Sequence, residues 1–181
     1  MKALIETLKH SEKVYRGNII NLRIDHVELP DGRAASREVV EHPGAVAVVA
    51  LTSERRVILV KQYRTPVGRV LLEVPAGKLT PGERPENCAR RELEEETGMR
   101  AGKLNLLCTF YTTPGFSDEI MYVFYAGELK KSRKNPDADE FLETTTLSLE
   151  EAVNKIFSGE IIDAKTITGL LSVAYLGEDN R

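Results

Sequence analysis

The chain is poor in cysteine, in long apolar runs and in surplus charge of either sign, and each shortage excludes a class of protein. Its two cysteines, Cys88 and Cys108, lie far apart and belong to no Cys-x-x-Cys pair. A zinc ribbon or a dithiol redox motif is therefore not indicated, and both are expected to be ordinary buried thiols. No stretch approaches the roughly 18 consecutive apolar residues of a membrane span, so no membrane partner is expected. The first ten residues, Met1 to His10, carry no apolar signal core, which makes a cytoplasmic address the expectation. Against 28 acidic residues stand 25 basic ones, a net charge of -3. That balance offers no broad basic footprint, and polynucleotide is not expected as a partner.

What is present is the composition of an ordinary globular domain, 41% hydrophobic and 29% charged over 181 residues. That length suits one catalytic domain with a small appendage. From Lys13 to His42 the chain alternates, with Ile20, Leu22 and Ile24 set against Asn21 and Arg23, and a Pro30-Asp31-Gly32 turn leads into Arg37-Glu38-Val39-Val40. The pattern predicts three short strands. So small a sheet must lay its apolar face on something else, so residues 1–42 are read as an N-terminal β module and 43–181 as the main domain.

After Pro43-Gly44, the continuously apolar run Ala45 to Leu51 reads as a central strand covered on both faces. Further strands are expected over Arg56 to Lys61, Val70 to Val74, Leu104 to Tyr111, Ile120 to Glu128 and Phe141 to Leu147. Helical periodicity appears over Pro85 to Thr97, Leu149 to Phe157 and Ala164 to Leu176, the last with Ile167, Leu170, Leu171 and Ala174 on one face. Strands interleaved with helices predict an α/β sandwich, and Lys130 to Glu140 a polar loop.

The chemistry is concentrated between Gly77 and Met99, where a glycine-rich loop precedes a helix with Pro85 in its first turn and Gly98 as its stop. Glu92, Glu95 and Glu96 stand three and four apart, so their carboxylates project from one side of that helix and are expected to converge. Like charges at that spacing oppose helix formation by roughly 0.2–0.5 kcal/mol per pair. A cation between them reverses the penalty. Carboxylate oxygens suit hard ions such as Mg2+ or Mn2+, whereas zinc calls for His or Cys. Arg91, four before Glu95, is placed to orient a carboxylate. A run such as Glu94-Glu95-Glu96 taken alone is usually a solvated helix face.

Taken whole, however, the segment resembles the Nudix box: Gly, five residues, Glu, seven residues, Arg-Glu, an aliphatic, any residue, Glu-Glu, any residue, Gly, an aliphatic. Gly77, Glu83, Arg91, Glu92, Leu93, Glu95, Glu96, Gly98 and Met99 match it at every constrained position. At average residue usage a chance match has a probability of roughly one in ten million. Pro114, sixteen residues after Gly98 within Thr113-Pro114-Gly115-Phe116-Ser117-Asp118-Glu119, resembles the signature of the ADP-ribose pyrophosphatase subfamily, and Gln62-Tyr63-Arg64 and Glu73-Val74-Pro75-Ala76-Gly77 are similar to segments of the same subfamily.

The resemblance implies a Nudix-type α/β/α sandwich with a mixed sheet, a small N-terminal antiparallel β module exchanged between the subunits of a homodimer, and hydrolysis of ADP-ribose with Mg2+, Mn2+ being a possible substitute. It implies metal binding by Glu92 and Glu96 with support from Glu95 and the carbonyl of Ala76, and an orienting role for Glu83 with Arg91. It implies a loop glutamate as general base; Glu140 is the candidate, or else a further metal ligand, with Asp139 and Glu119 in reserve. Arg64, whose planar fork can donate two hydrogen bonds, is expected to hold a phosphate. Arg37, Glu38 and Ile19 are expected at the adenine end, with Gly115 and Glu119 also touching substrate. Two alternatives stay open: hydrolysis of other nucleoside-diphosphate sugars or dinucleotides, and a non-catalytic ADP-ribose sensor.

Overall fold

The computed structural model describes residues 4–135 and 141–176. They form two compact units, Met1–Gly44 with Tyr111–Ile120, and Ala45–Phe110 with Met121–Arg181.

The first unit is an antiparallel sheet of β1 (Thr7–Arg16), β2 (Asn21–Glu28) and β3 (Ala34–Glu41) in that order. β1 begins well before the expected Lys13; Thr7 to Glu12 are polar except for Leu8, all ten residues of the strand are exposed, and no alternation marks its start. The Pro30-Asp31-Gly32 turn closes with Gly32 at a φ of 86°, which a side chain resists. Among the described residues of these strands only Asp25 and Val27 are buried. Asp25 accepts from Ser11 Oγ at 2.5 Å and Arg23 Nε at 3.0 Å, and these donors, Ser11 above all, outweigh burial and hold its carboxyl below its ordinary range. The segment 111–120 is stitched to β3, with Val40 N donating to Phe116 O at 2.8 Å and His42 N to Asp118 Oδ1 at 2.8 Å.

The second unit holds a seven-stranded mixed sheet. Its strands are β4 (Ala45–Leu51), β5 (Arg56–Arg64), β6 (Arg69–Glu73), β7 (Ala76–Lys78), β8 (Met99–Tyr111), β9 (Ile120–Lys131) and β10 (Leu142–Ser148). The order is β10-β5-β4-β9-β8, with β6 on β5 and β7 on β4; β4 and β9 run parallel. Among the described residues three α-helices complete it: α1 (Pro85–Thr97), α2 (Leu149–Phe157) and α3 (Ala164–Leu176).

β4 is buried on both faces and so divides the core in two. Ala45, Ala47, Val49 and Leu51 face Leu149, Ala152, Leu170 and Val173 of α2 and α3, while Val46, Val48 and Ala50 face Cys88, Ala89 and Leu93 of α1. The period of two along the strand thus separates two helical layers, the α/β/α sandwich that the interleaving predicts.

Two sequence readings need correction here. α3 buries Thr166, Gly169, Leu170 and Val173, whereas Leu171 is 38% exposed and Ala174 faces solvent. The helix turns on Gly169, where an added Cβ would lie 2.6 Å from Val49 Cγ2; the closest approach to the sheet follows the smallest residue rather than the most apolar arc. Cys108 is only half-buried, unlike Cys88. Among the described residues no helix is long and apolar enough to cross a membrane.

Candidate active site

The site is built on the loop and helix from Gly77 to Gly98. α1 starts with Pro85, whose missing N–H costs nothing there, and stops at Gly98, where φ is 70° and the amide donates to Glu94 O at 2.8 Å. β7 pairs with β4, Ala76 to Ala47, which pins the loop entrance to the sheet.

Arg91 is the centre of the charge arrangement. Its Nε and Nη2 reach Glu83 Oε1 and Oε2 at 3.0 and 3.1 Å, while Nη1 reaches Glu92 Oε1 at 2.7 Å and Glu95 Oε2 at 3.0 Å. Glu83 also accepts from Thr80 N at 3.1 Å and Thr80 Oγ1 at 3.0 Å. The Arg91 guanidinium, joined by the Thr80 donors, holds the Glu83 carboxyl down at about 2, so it stays ionised at neutral pH. The expected orienting role for Glu83 with Arg91 has this geometry.

Glu92 and Glu96 are 8% and 2% exposed, deep for carboxylates. Glu96 Oε2 accepts from Ala76 N at 3.1 Å. Glu92 lies against Gly77, where an added Cβ would stand 2.0 Å from the carboxyl carbon. The glycine thus serves close approach. The expectation that the three carboxylates converge is corrected in detail: among the described residues no three acidic, His or Cys side chains are gathered closely enough to hold an ion. Glu92 and Glu95 share Arg91 Nη1, while Glu96 accepts from Ala76 N.

The donor set nevertheless fits a hard divalent ion. Four carboxylates, Glu83, Glu92, Glu95 and Glu96, stand with one guanidinium, all the candidate ligands are oxygens, and Ala76 stands beside Glu96. The Cys88 thiol, pushed up to about 12 chiefly by burial, supplies no thiolate.

Arg64 is placed otherwise than expected. Its fork is spent on Glu73, Nε to Oε1 at 2.8 Å and Nη2 to Oε2 at 2.7 Å, leaving the Nη1 edge for a ligand. Sequence reasoning gave Glu73 no role, although a single acid between Leu72 and Val74 was a signal that it needed a partner. Ile19, Arg37, Glu38, Gly115 and Glu119 all belong to the first unit. Ile19 is 53% exposed, Arg37 pairs with Glu6 at 2.5 Å, Glu38 is exposed opposite Ile24, and Gly115 is exposed. Glu119 accepts from Thr112 Oγ1 at 2.7 Å and lies 3.5 Å from His42 Nδ1. Glu140 and Asp139 lie outside the described residues.

With this geometry in place, similarity to known proteins defines the class. A family model described as the NUDIX domain matches residues 41–169, and one described as the nucleoside diphosphate sugar hydrolase N-terminal domain matches 6–40. The chain belongs to the Nudix family and is a pyrophosphohydrolase. It is 50% identical to an ADP-ribose pyrophosphatase of Bacillus subtilis over 92% of this chain and 91% of the relative. A Mycobacterium tuberculosis protein of the same name is 41% identical over 90% of this chain and 80% of its own length. The fold matches a solved structure described as an ADP compounds hydrolase, with a TM-score of 0.85, 23% identity and 97% of both chains covered.

Proposed function

We propose that this enzyme hydrolyses the pyrophosphate bond of ADP-ribose to AMP and ribose 5-phosphate with Mg2+, for which Mn2+ can substitute. The observation that carries the reading is the pair of buried carboxylates, Glu92 and Glu96, held on one side of α1 against Gly77 and Ala76. The names of two relatives support the substrate. Glu92 and Glu96 hold the metal, supported by Glu95 and the Ala76 carbonyl, and Arg91 orients the set from Glu83. When bound, the ion neutralises phosphate oxygens and lowers the pKa of the attacking water. Glu140 takes the proton from that water, Asp139 and Glu119 being its reserves, and Arg64 donates its Nη1 edge to a phosphate.

The test is product analysis with ADP-ribose, ADP-glucose and a diadenosine polyphosphate, each with and without Mg2+, on the wild type and Glu140→Gln. AMP and ribose 5-phosphate formed fastest from ADP-ribose, and a turnover lower by about a hundredfold in the variant, are expected. Preference for ADP-glucose moves the reading to nucleoside-diphosphate sugars, which the description of the N-terminal model favours. Binding of ADP-ribose without turnover of any substrate moves it to a sensor. Rescue of Glu140→Gln by raised Mg2+ makes that residue a ligand rather than the base.

The N-terminal unit, read as residues 1–42, is the dimerisation element, exchanged so that Ile19, Arg37 and Glu38 serve the partner subunit's adenine pocket. The exposure of Leu8, Val14, Tyr15, Ile19 and Ile20, at 56%, 50%, 58%, 53% and 40%, supports this, because a three-stranded sheet needs an apolar cover. Light scattering is expected to give a dimer at all working concentrations, and deletion of residues 1–42 to impair folding. A soluble, fully active monomer lacking them overturns the shared-site reading.

A further inference from the structure

Glu73, at the end of β6, is 1% exposed and carries its carboxylate into the interior. Such burial costs several kcal/mol unless the charge is paired and hydrogen-bonded. Two cations pair it: Arg64 from β5 through Nε and Nη2, and Lys165 from α3, whose Nζ donates to Oε2 at 2.5 Å. Lys165 also donates to Asp163 Oδ1 at 3.0 Å, so the four groups are neutral together. Asp163 Oδ2 accepts from Thr166 N at 3.0 Å and Thr166 Oγ1 at 2.6 Å, and Thr166 Oγ1 in turn accepts from Val74 N at 2.9 Å. The start of α3 therefore grips Glu73 by its side chain and Val74 by its backbone.

The two cations differ in what they have left. The Lys165 side chain is 12% exposed, whereas Arg64 is 37% exposed and its Nη1 has no hydrogen bond to the described residues. Glu96 acts on Arg64 electrostatically, after the larger effects of Glu73 and burial, which puts the guanidinium within the field of that one box carboxylate. Arg64 and Lys165 share Glu73 Oε2, so the position of the ammonium fixes the carboxylate plane, and that plane fixes the guanidinium plane.

We propose that Lys165, anchored by Asp163, is a positioning residue that acts through Glu73 to set the reach of Arg64 toward the substrate's phosphates. This rests on the reading of Arg64 as a phosphate donor in the proposed reaction. Without Lys165, Glu73 keeps only its pair with Arg64, and the two shift together away from the place that the ammonium set, so ground-state and transition-state binding fall together while the metal-binding carboxylates are untouched.

The experiment is a double-mutant cycle of Lys165→Met with Arg64→Lys, read as kcat, KM and the dissociation constant of a non-hydrolysable methylene analogue of ADP-ribose measured without metal. Lys165→Met is expected to raise KM and the analogue's dissociation constant by about tenfold while kcat changes by less than about threefold. Because Lys165 acts through Arg64, the double variant is no weaker than Arg64→Lys alone. Lys165→Gln, which keeps a donor without the charge, serves if the methionine variant does not fold and is expected to shift KM in the same direction. Folded variants with wild-type KM, or losses that multiply in the double variant, overturn the proposal. A wild type that neither binds nor hydrolyses ADP-ribose overturns the proposed function instead, so the two failures are distinct.

Discussion

Glu96→Gln and Glu92→Gln are each expected to lower turnover on the order of a hundredfold or more, with unfolding temperatures close to that of the wild type. Stability is preserved because glutamine has the shape of glutamate and its amide oxygen still accepts. At position 96 it keeps the bond from Ala76 N, and at 92 the bond from Arg91 Nη1. Activity is lost because a neutral amide is a poor ligand for a hard divalent ion. Removing one like charge from α1 even relieves repulsion within the Glu92, Glu95 and Glu96 group. Turnover is read at saturating Mg2+ and Mn2+ affinity by titration. Wild-type turnover in either variant removes that residue from the metal-binding set, and lost turnover with unchanged Mn2+ affinity leaves it a role in orientation only.

Gly77→Ala has the second large expected effect, and it separates function from folding more sharply. The added methyl would stand 2.0 Å from both the carboxyl carbon and Oε1 of Glu92, far inside contact distance. What it meets is the end of a flexible side chain, so Glu92 swings away at little cost to the fold. The displaced carboxylate loses its place beside β7, and the expected result is a turnover lower by about tenfold or more, weaker Mn2+ binding, and an unfolding temperature within a few degrees of wild type. An alanine variant with wild-type kcat and Mn2+ affinity shows that the close approach of Glu92 to residue 77 is not used in catalysis.

These expectations draw on two kinds of information. α1, α2 and α3 occupy the ranges their periodicity predicts, because helical periodicity, and for α1 the start at Pro85 and stop at Gly98, are local signals read within a few turns; α2 opens on a capping box between Ser148 and Glu151. β4 was legible for a similar reason, since a continuous apolar run has to be covered on both faces. The first half of β1 and the three-residue β7 were not legible: one is exposed throughout and polar but for Leu8, and the other owes its existence to backbone pairing with β4.

At the site, residue type and spacing along one helix were enough to assemble Arg91, Glu92, Glu95 and Glu96 on one side, because helical geometry alone joins neighbours three and four apart. Which donor each carboxylate takes was settled by β7, from which Ala76 N reaches Glu96 and a bare Gly77 admits Glu92. Arg64 shows the division most clearly. Its charge and planar fork are properties of the residue, and they pointed to an anion. That the anion taken by the fork is Glu73, itself held by Lys165 far along the chain, follows from the fold bringing the start of α3 to the end of β6, since a carboxylate enclosed there has to find its cations wherever the fold brings them.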